Sequence, residues 1–304
     1  MLIPLAPKVW VVAPEVPPRY PYGNCMYIEA DYPTLIDLGA GGLAFSALNQ
    51  DKVRKAVLSH FHFDHIHGQP FFPQAELYVS AVEQNTYLDE NEYIRFHGYD
   101  LWDKFMPGIP REAYGQVVLL PDDVPVKPGF RVLNPSGVFN DLDQLDLGNR
   151  RITAVHLPGH TAGHFGFYLE KEGILFSGDI DLVPAGPWYS SNSASVGDLI
   201  KSVQRIEEIG PRLIVPSHRR VQDDNLSEKL KQYIQVVHER NDRIAELLRQ
   251  PLTLHQLAEY RLVFPDRQNL YELFWEIMSL RNHVKYLIEI NAIQEISEGL
   301  FLHR

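Results

Sequence analysis

The segment Ser59-His60-Phe61-His62-Phe63-Asp64-His65 places four metal-competent side chains within six positions. It follows Lys55-Ala56-Val57-Leu58-Ser59, an apolar stretch that reads as a buried strand. If strand alternation continues briefly, His60 and His62 point to one side and can share an ion. Asp64 and His65 follow at the turn and can face a second ion nearby. Imidazole suits zinc, iron, nickel or copper, and carboxylate adds hard-oxygen character. A dense nitrogen and oxygen donor set without thiolate suits a catalytic metal more than a structural one. Three further candidates complete the set: His160 in Leu157-Pro158-Gly159-His160-Thr161, Asp179 in Phe176-Ser177-Gly178-Asp179, and His218 in Val215-Pro216-Ser217-His218. Each stands at the C-terminal end of an apolar run, and loops at one edge of a sheet converge in space. Taken singly, these three would read as hydrogen-bonded turn residues. Their order behind the cluster makes them ligand candidates.

The elements that must position these groups read as a mixed α/β protein. Strands are expected at Lys8–Ala13, Cys25–Glu29, Thr34–Leu38, Lys55–Ser59, Leu77–Ser80, Arg151–Leu157, His164–Leu169, Ile174–Ser177 and Arg212–Val215. Ala30-Asp31-Tyr32-Pro33 and Glu172-Gly173 supply hairpin turns. Helices are expected at Val196–Ile209, stopped by Gly210-Pro211, and at Asn225–Gln250, capped by Asn225 and Ser227. Residues 84–116 carry Tyr87, Tyr93, Phe96, Tyr99, Trp102, Phe105 and Tyr114, and read as a helical insertion packed over one face. Some of these rings are candidates for a pocket wall, as are Trp188 and Tyr189 in the loop after Asp179. Beyond Pro251, helices at Leu254–Tyr260 and Asn269–Asn291 precede two short runs, Ala292–Ile296 and Leu300–His303. That succession suggests a small winged-helix-like module. The expected division is therefore 1–250, with the insertion at about 84–116, and 251–304. Leu273, Phe274, Ile277 and Leu280 form an apolar helical face, read first as core packing and otherwise as a cover for the cleft or a homodimer contact.

Composition narrows the functional classes. The chain has 304 residues, 45% hydrophobic and 22% charged, enough to bury a sizeable core without disulfides. The net charge of -11 argues against a surface built broadly for nucleic acid. The stretch 252–304 holds five Lys/Arg against seven Asp/Glu, a net of -2, where a nucleic-acid-reading wing would be basic. The one cysteine, Cys25, excludes an intramolecular disulfide and cysteine-rich zinc sites, and reads as a small buried hydrophobe. No run approaches 18 apolar residues, so no membrane span is expected. Met1 to Pro7 has no basic region ahead of an apolar stretch, so no secretory signal is read and the cytoplasm is the expected location.

The ordered pattern His-x-His-x-Asp-His, Gly-His-Thr, Ser-Gly-Asp and a final histidine resembles the metallo-β-lactamase-fold hydrolase superfamily over about residues 8 to 220. The resemblance implies an αββα sandwich with two metals in a cleft at one edge. It implies that His60, His62 and His160 hold the first metal, that Asp64, His65 and His218 hold the second, and that Asp179 bridges them. Asp37, in Leu35-Ile36-Asp37-Leu38-Gly39, matches an early Asp-x-Gly element that supports the site from behind the ligands. The expected cofactors are two divalent ions, zinc first, with iron or manganese as alternatives. Two such metals about 3.5 Å apart can hold a bridging hydroxide at neutral pH. Asp64 is also a candidate for passing a proton to the leaving group.

Such hydrolases cleave thioesters, lactones, β-lactams, phosphodiesters and other esters, so the fold does not name the substrate. A small ester, thioester or lactone is favoured here. The helical C-terminal stretch loosely resembles both the hydroxyacylglutathione hydrolase type and branches with a winged-helix-like module, among them endoribonucleases. A mononuclear-iron persulfide dioxygenase-like oxidoreductase is the alternative of a different class. A non-catalytic binding protein is a third, and seven filled ligand positions argue against it.

Overall fold

The computed structural model describes residues 1–304. A seven-stranded sheet runs in the order β1 (Leu2–Ala6), β2 (Val9–Val12), β3 (Cys25–Ile28), β4 (Thr34–Ile36), β5 (Lys55–Val57), β6 (Glu76–Ser80) and β7 (Gly137–Phe139). β1 to β4 pair antiparallel and β4 to β7 pair parallel. The second sheet has five strands: β8 (Gln144–Asp146), β9 (Arg151–His156), β10 (Phe165–Leu169), β11 (Ile174–Gly178) and β12 (Leu213–Pro216). Its order is β12-β11-β10-β9-β8, with β11 and β12 parallel and the other pairs antiparallel.

Residue alternation dictates the layering, because successive strand side chains face opposite ways. Ile36, Val57, Ala154, Phe167, Phe176 and Val215 point into one core between the sheets. Their neighbours Leu35, Ala56 and Leu58 point outward to meet Phe45 of the short helix α1 (Gly42–Phe45). On the other side, Val155, Leu175 and Ile214 turn outward toward helices of the opposite layer. The result is the expected αββα sandwich.

Short helical pieces follow β5 and β6: α2 (Phe63–Ile66), α3 (Glu90–His97), α4 (Trp102–Phe105) and α5 (Tyr114–Val117). The opposite outer layer is α6 (Val196–Ile209) and α7 (Leu226–Leu247). Ser195 caps α6 by accepting from Asp198 N, and Gly210 ends it at φ 61°. α7 departs from expectation at its start. Asn225 sits at the N-cap position at φ 48° with no side-chain cap, and Ser227 instead donates to Glu207 Oε1 at 2.5 Å.

The C-terminal stretch adds a third sheet and two helices. The strand β13 (Leu252–Thr253) and the helices α8 (Leu254–Ala258) and α9 (Leu270–Glu289) are followed by a hairpin of β14 (Ile293–Ser297) and β15 (Leu300–His303). The three strands form a sheet in the order β13-β15-β14. Phe274, Ile277 and Leu280 share a core with Trp102, Phe105 and Met106, so the later part of the insertion packs on α9, while Tyr87, Tyr93 and Phe96 pack on the core around Phe45 and Phe61. No helix is long and apolar enough to cross a membrane.

Four strands, β1, β7, β8 and β13, lie outside the sequence reading, and each is an edge strand of its sheet. β1 contains Pro4, which an edge strand tolerates because its N–H is not needed in the ladder. β8 is a polar edge strand, Gln144-Leu145-Asp146, with no alternation to read.

Candidate metal centre

In sheet order β4 and β5 run parallel, as do β9, β11 and β12 across the sandwich, so their C-terminal ends open on one edge. Asp37 follows β4, the histidine cluster follows β5, His160 follows β9, Asp179 follows β11 and His218 follows β12. All seven candidate ligands meet there. His60 Nε2, His62 Nδ1 and His160 Nε2 lie 2.9 to 3.1 Å from one another. A second group joins Asp64, His65 and His218, with Asp64 Oδ2 at 3.3 Å from His218 Nε2.

Asp179 stands between the groups, one oxygen to each. Its Oδ2 is 3.2 Å from His160 Nε2 and 3.9 Å from His60 Nε2. Its Oδ1 is 3.0 Å from His65 Nε2 and 3.4 Å from His218 Nε2. The backbone holds it there: Asp179 N donates to His164 Nε2 at 3.0 Å, and His164 Nδ1 donates to Leu157 O at 2.8 Å. Gly178 precedes it at φ 56°, where a Cβ would collide with His164 Nε2.

Asp37 fixes the second group from behind. Buried and at φ 58°, it accepts from Ser59 N, Ser59 Oγ and His65 Nδ1, each at 2.7 Å. Nδ1 of His65 carries that proton, so in the neutral ring it is Nε2 that presents a lone pair to the Asp179 carboxylate. Both His65 Nε2 and Asp179 Oδ1 are buried without a hydrogen-bond partner. Two acceptors at that separation call for a cation or a proton between them, so the residues fit a metal.

The electrostatics divide the histidines in the same way. Burial, with repulsion from neighbouring histidines, pushes His60 and His62 well below the ordinary imidazole range. Burial also lowers His160, against the pull of Asp179. For His65 and His218 burial acts downward too, but the carboxylates of Asp179 with Asp37, or of Asp179 with Asp181, outweigh it and raise both well above that range. The first group is a set of neutral imidazoles. The second holds protons that a metal displaces.

The centre opens into a cavity of about 880 Å³. Its walls combine Tyr20 near the N-terminus, Tyr93, Tyr99 and Tyr114 of the insertion, Trp188, and Trp275 of α9, with Arg19, Arg111 and Arg219 as cationic groups. Trp188 lines it as expected; Tyr189 does not. Tyr189 is fully buried behind the wall, where its hydroxyl bonds to His283 and Arg240. Aromatic type favours both neighbours for a pocket wall, but alternation along an extended loop sends adjacent side chains to opposite sides.

Several residues escape the sequence reading. Asp181 lines the cavity, accepts from His218 N at 2.9 Å, and is pushed up to about 7 by burial and the adjacent Asp179. The Asp-Ile-Asp spacing is its signal. Glu83, buried under the histidine loop, accepts from Phe61 N, Gly163 N and the Thr161 hydroxyl, and nothing in its local sequence marks it. His97 packs its ring on Phe61, lies 5.5 Å from His62 and lines the cavity, and its sequence neighbours carry no ligand motif. His67 and His164, beside the ligands in sequence, are buried.

A two-sheet sandwich with a His/Asp cluster at the shared edge of its strands defines an α/β metalloprotein. The chain belongs to the metallo-beta-lactamase superfamily, whose family profile matches residues 20–218. Among solved structures it is similar to a metallo-beta-lactamase family protein from Thermus thermophilus, with a TM-score of 0.78 at 20% identity over 99% of this chain and 100% of that one. Among curated proteins it is 28% identical over 174 residues to the acyl-coenzyme A thioesterase MBLAC2 of Gallus gallus, covering 53% of each chain. It is also 36% identical over 107 residues to a hydroxyacylglutathione hydrolase of Chelativorans sp. (strain BNC1), covering 35% of this chain and 40% of that protein. The chain thus spans about half the length, or less, of these curated relatives.

Proposed function

We propose that the protein is a metal-dependent hydrolase that holds two divalent ions, zinc first, and cleaves a thioester or a chemically related ester. The carrying observation is Asp179, whose two carboxylate oxygens each face a separate nitrogen-rich ligand group. His60, His62 and His160 would hold one ion, and Asp64, His65 and His218 the other. When bound, such ions lower the pKa of water from about 16 toward about 7 and polarise the scissile carbonyl. The names of two relatives, an acyl-coenzyme A thioesterase and a hydroxyacylglutathione hydrolase, support the thioester class.

The chain's own residues supply the rest. Burial favours the neutral Asp64 carboxyl, but the His218 hydrogen bond and the charge of His65 outweigh it and hold the group ionised. Asp64 also lines the cavity, where it is placed to accept the proton given up by the attacking water and return it to the leaving atom. The aromatic wall excludes water and accommodates an apolar acyl group, and Arg19 and Arg219 suit an anionic leaving-group portion. Purified zinc-loaded protein is expected to hydrolyse thioesters in preference to lactones, phosphodiesters and β-lactams. His62→Ala and Asp179→Ala are expected to abolish turnover. Oxygen consumption with a single bound iron, or turnover of phosphodiesters alone, contradicts the proposal, and full turnover in a metal-loaded Asp64→Asn variant removes the proton role.

A further inference from the structure

The side of α9 that meets the sandwich is polar where a packing helix needs only apolar groups. Ser279, Asn282 and His283 are 0%, 2% and 0% exposed. With Trp275 they follow at intervals of four, three and one, so they share one helix face. Burying a hydroxyl, an amide and an imidazole is unfavourable unless each finds a partner.

Those partners concentrate on one short stretch. Ser279 Oγ bonds to Ser190 Oγ at 2.7 Å. Asn282 Nδ2 donates to the carbonyl oxygens of Tyr189 at 2.9 Å and Ser191 at 3.0 Å. Tyr189 OH donates to His283 Nε2 at 2.7 Å and accepts from Arg240 Nη1 at 2.7 Å. His283 Nδ1 donates in turn to Asn241 Oδ1 at 2.7 Å. Burial and the charge of Arg240 push His283 down to about 3, so a single neutral tautomer serves both bonds.

The stretch held in this way begins at Trp188. Its carbonyl accepts from His160 Nδ1 at 2.8 Å, and its ring stands edge-on to His62 at 5.2 Å. The two carbonyls flanking the Tyr189 Cα are therefore committed in opposite directions, one to a candidate ligand and one to α9. We infer that Asn282 and His283, acting through Tyr189, are positioning residues for the metal centre: they fix the Trp188 carbonyl, which fixes the His160 ring with Nε2 toward the metal. The inference rests on the reading that His160 is a ligand. It gives the C-terminal unit a role in metal affinity although it offers no ligand of its own. Outer partners of ligating histidines commonly change metal affinity by about 10- to 100-fold.

The test uses the full chain with zinc alone as the probe, titrated against a chromophoric chelator. Cobalt absorption spectra and melting temperature are recorded alongside. Asn282→Ala and Tyr189→Phe are expected to weaken one zinc site by about 10- to 100-fold and to shift the cobalt bands. Thr253→Ala removes the capping box of α8 in the same unit and touches nothing in 188–191. It is expected to lower the melting temperature while leaving zinc affinity and the cobalt spectrum as in the wild type. Zinc affinities of Asn282→Ala and Tyr189→Phe within about twofold of wild type, well short of the loss expected of an outer partner, overturn the inference, as does an equal loss in Thr253→Ala. If Asn282→Ala does not fold, Tyr189→Phe, which removes one hydroxyl, decides alone. Wild-type protein that binds no zinc overturns the metal-centre reading itself, whereas tight binding with unaffected variants overturns only the positioning role.

Discussion

Replacing Asp37 by asparagine tests how the second ligand group is built. The native carboxylate accepts three hydrogen bonds at 2.7 Å, from Ser59 N, Ser59 Oγ and His65 Nδ1. The amide of an Asp37→Asn variant keeps one acceptor and presents an NH2 group to the other two partners. The Ser59 hydroxyl can rotate to accept, but the His65 Nδ1–H then faces a donor. Relief requires the other tautomer, with the proton on Nε2 where a metal needs the lone pair. A hydrogen bond to a charged group is worth about 1.5–3 kcal/mol. At about 1.4 kcal/mol per tenfold, that converts to a loss of about 10- to 150-fold in affinity. The loss is confined to the Asp64, His65 and His218 group, because Asp37 reaches the first group only through Ser59, whose hydroxyl meets His60 Nδ1. Competitive zinc titration should therefore resolve one weakened site and one unchanged site, with the fold intact by circular dichroism. Two unchanged sites, or equal weakening of both, would refute the reasoning.

Metal binding to the second group should release protons, because the neighbouring carboxylates raise His65 and His218 well above the ordinary imidazole range in the metal-free protein. Affinity there is expected to rise with pH across the neutral range, by up to about tenfold per unit for each proton displaced, while the lowered His60, His62 and His160 group stays flat; calorimetry in buffers of different ionisation heat measures the difference. Without metal the sign is opposite: the charged His65 and His218 contribute stability that is full below the unfolded imidazole value and is lost as pH rises through their folded values. Gly39→Ala places a Cβ on the Asp64 carbonyl oxygen, which should destabilise the fold by about 1–3 kcal/mol in urea unfolding and weaken the second site. Trp275→Ala enlarges the cavity at its C-terminal wall, and should raise KM about tenfold for a thioester with a bulky apolar acyl group with kcat little changed.

The ligands are legible in the sequence because their types are rare together and their positions coincide with strand ends. His60 to His65, His160, Asp179 and His218 need only the location of four apolar runs, and errors of a residue or two in strand limits do not move them. What surrounds the ligands is less legible for physical reasons. Glu83 reaches the histidine loop through tertiary packing, so no spacing announces it. Tyr189 and Trp188 are alike in type and adjacent, and only the backbone path decides which one meets the cavity. The polar face of α9 is masked by its apolar one: Phe274, Ile277 and Leu280 dominate the pattern, while Ser279, Asn282 and His283 acquire meaning only against residues 188–191. β1 and β8 escape a reading by pattern because edge strands accept proline and polar residues that interior strands reject.

The most direct test of the account is anomalous X-ray scattering from crystals of the zinc-loaded protein. Two zinc ions are expected, about 3.5–4 Å apart, one on each side of the Asp179 carboxylate. A single ion, or ions that leave Asp179 free of both, would contradict it.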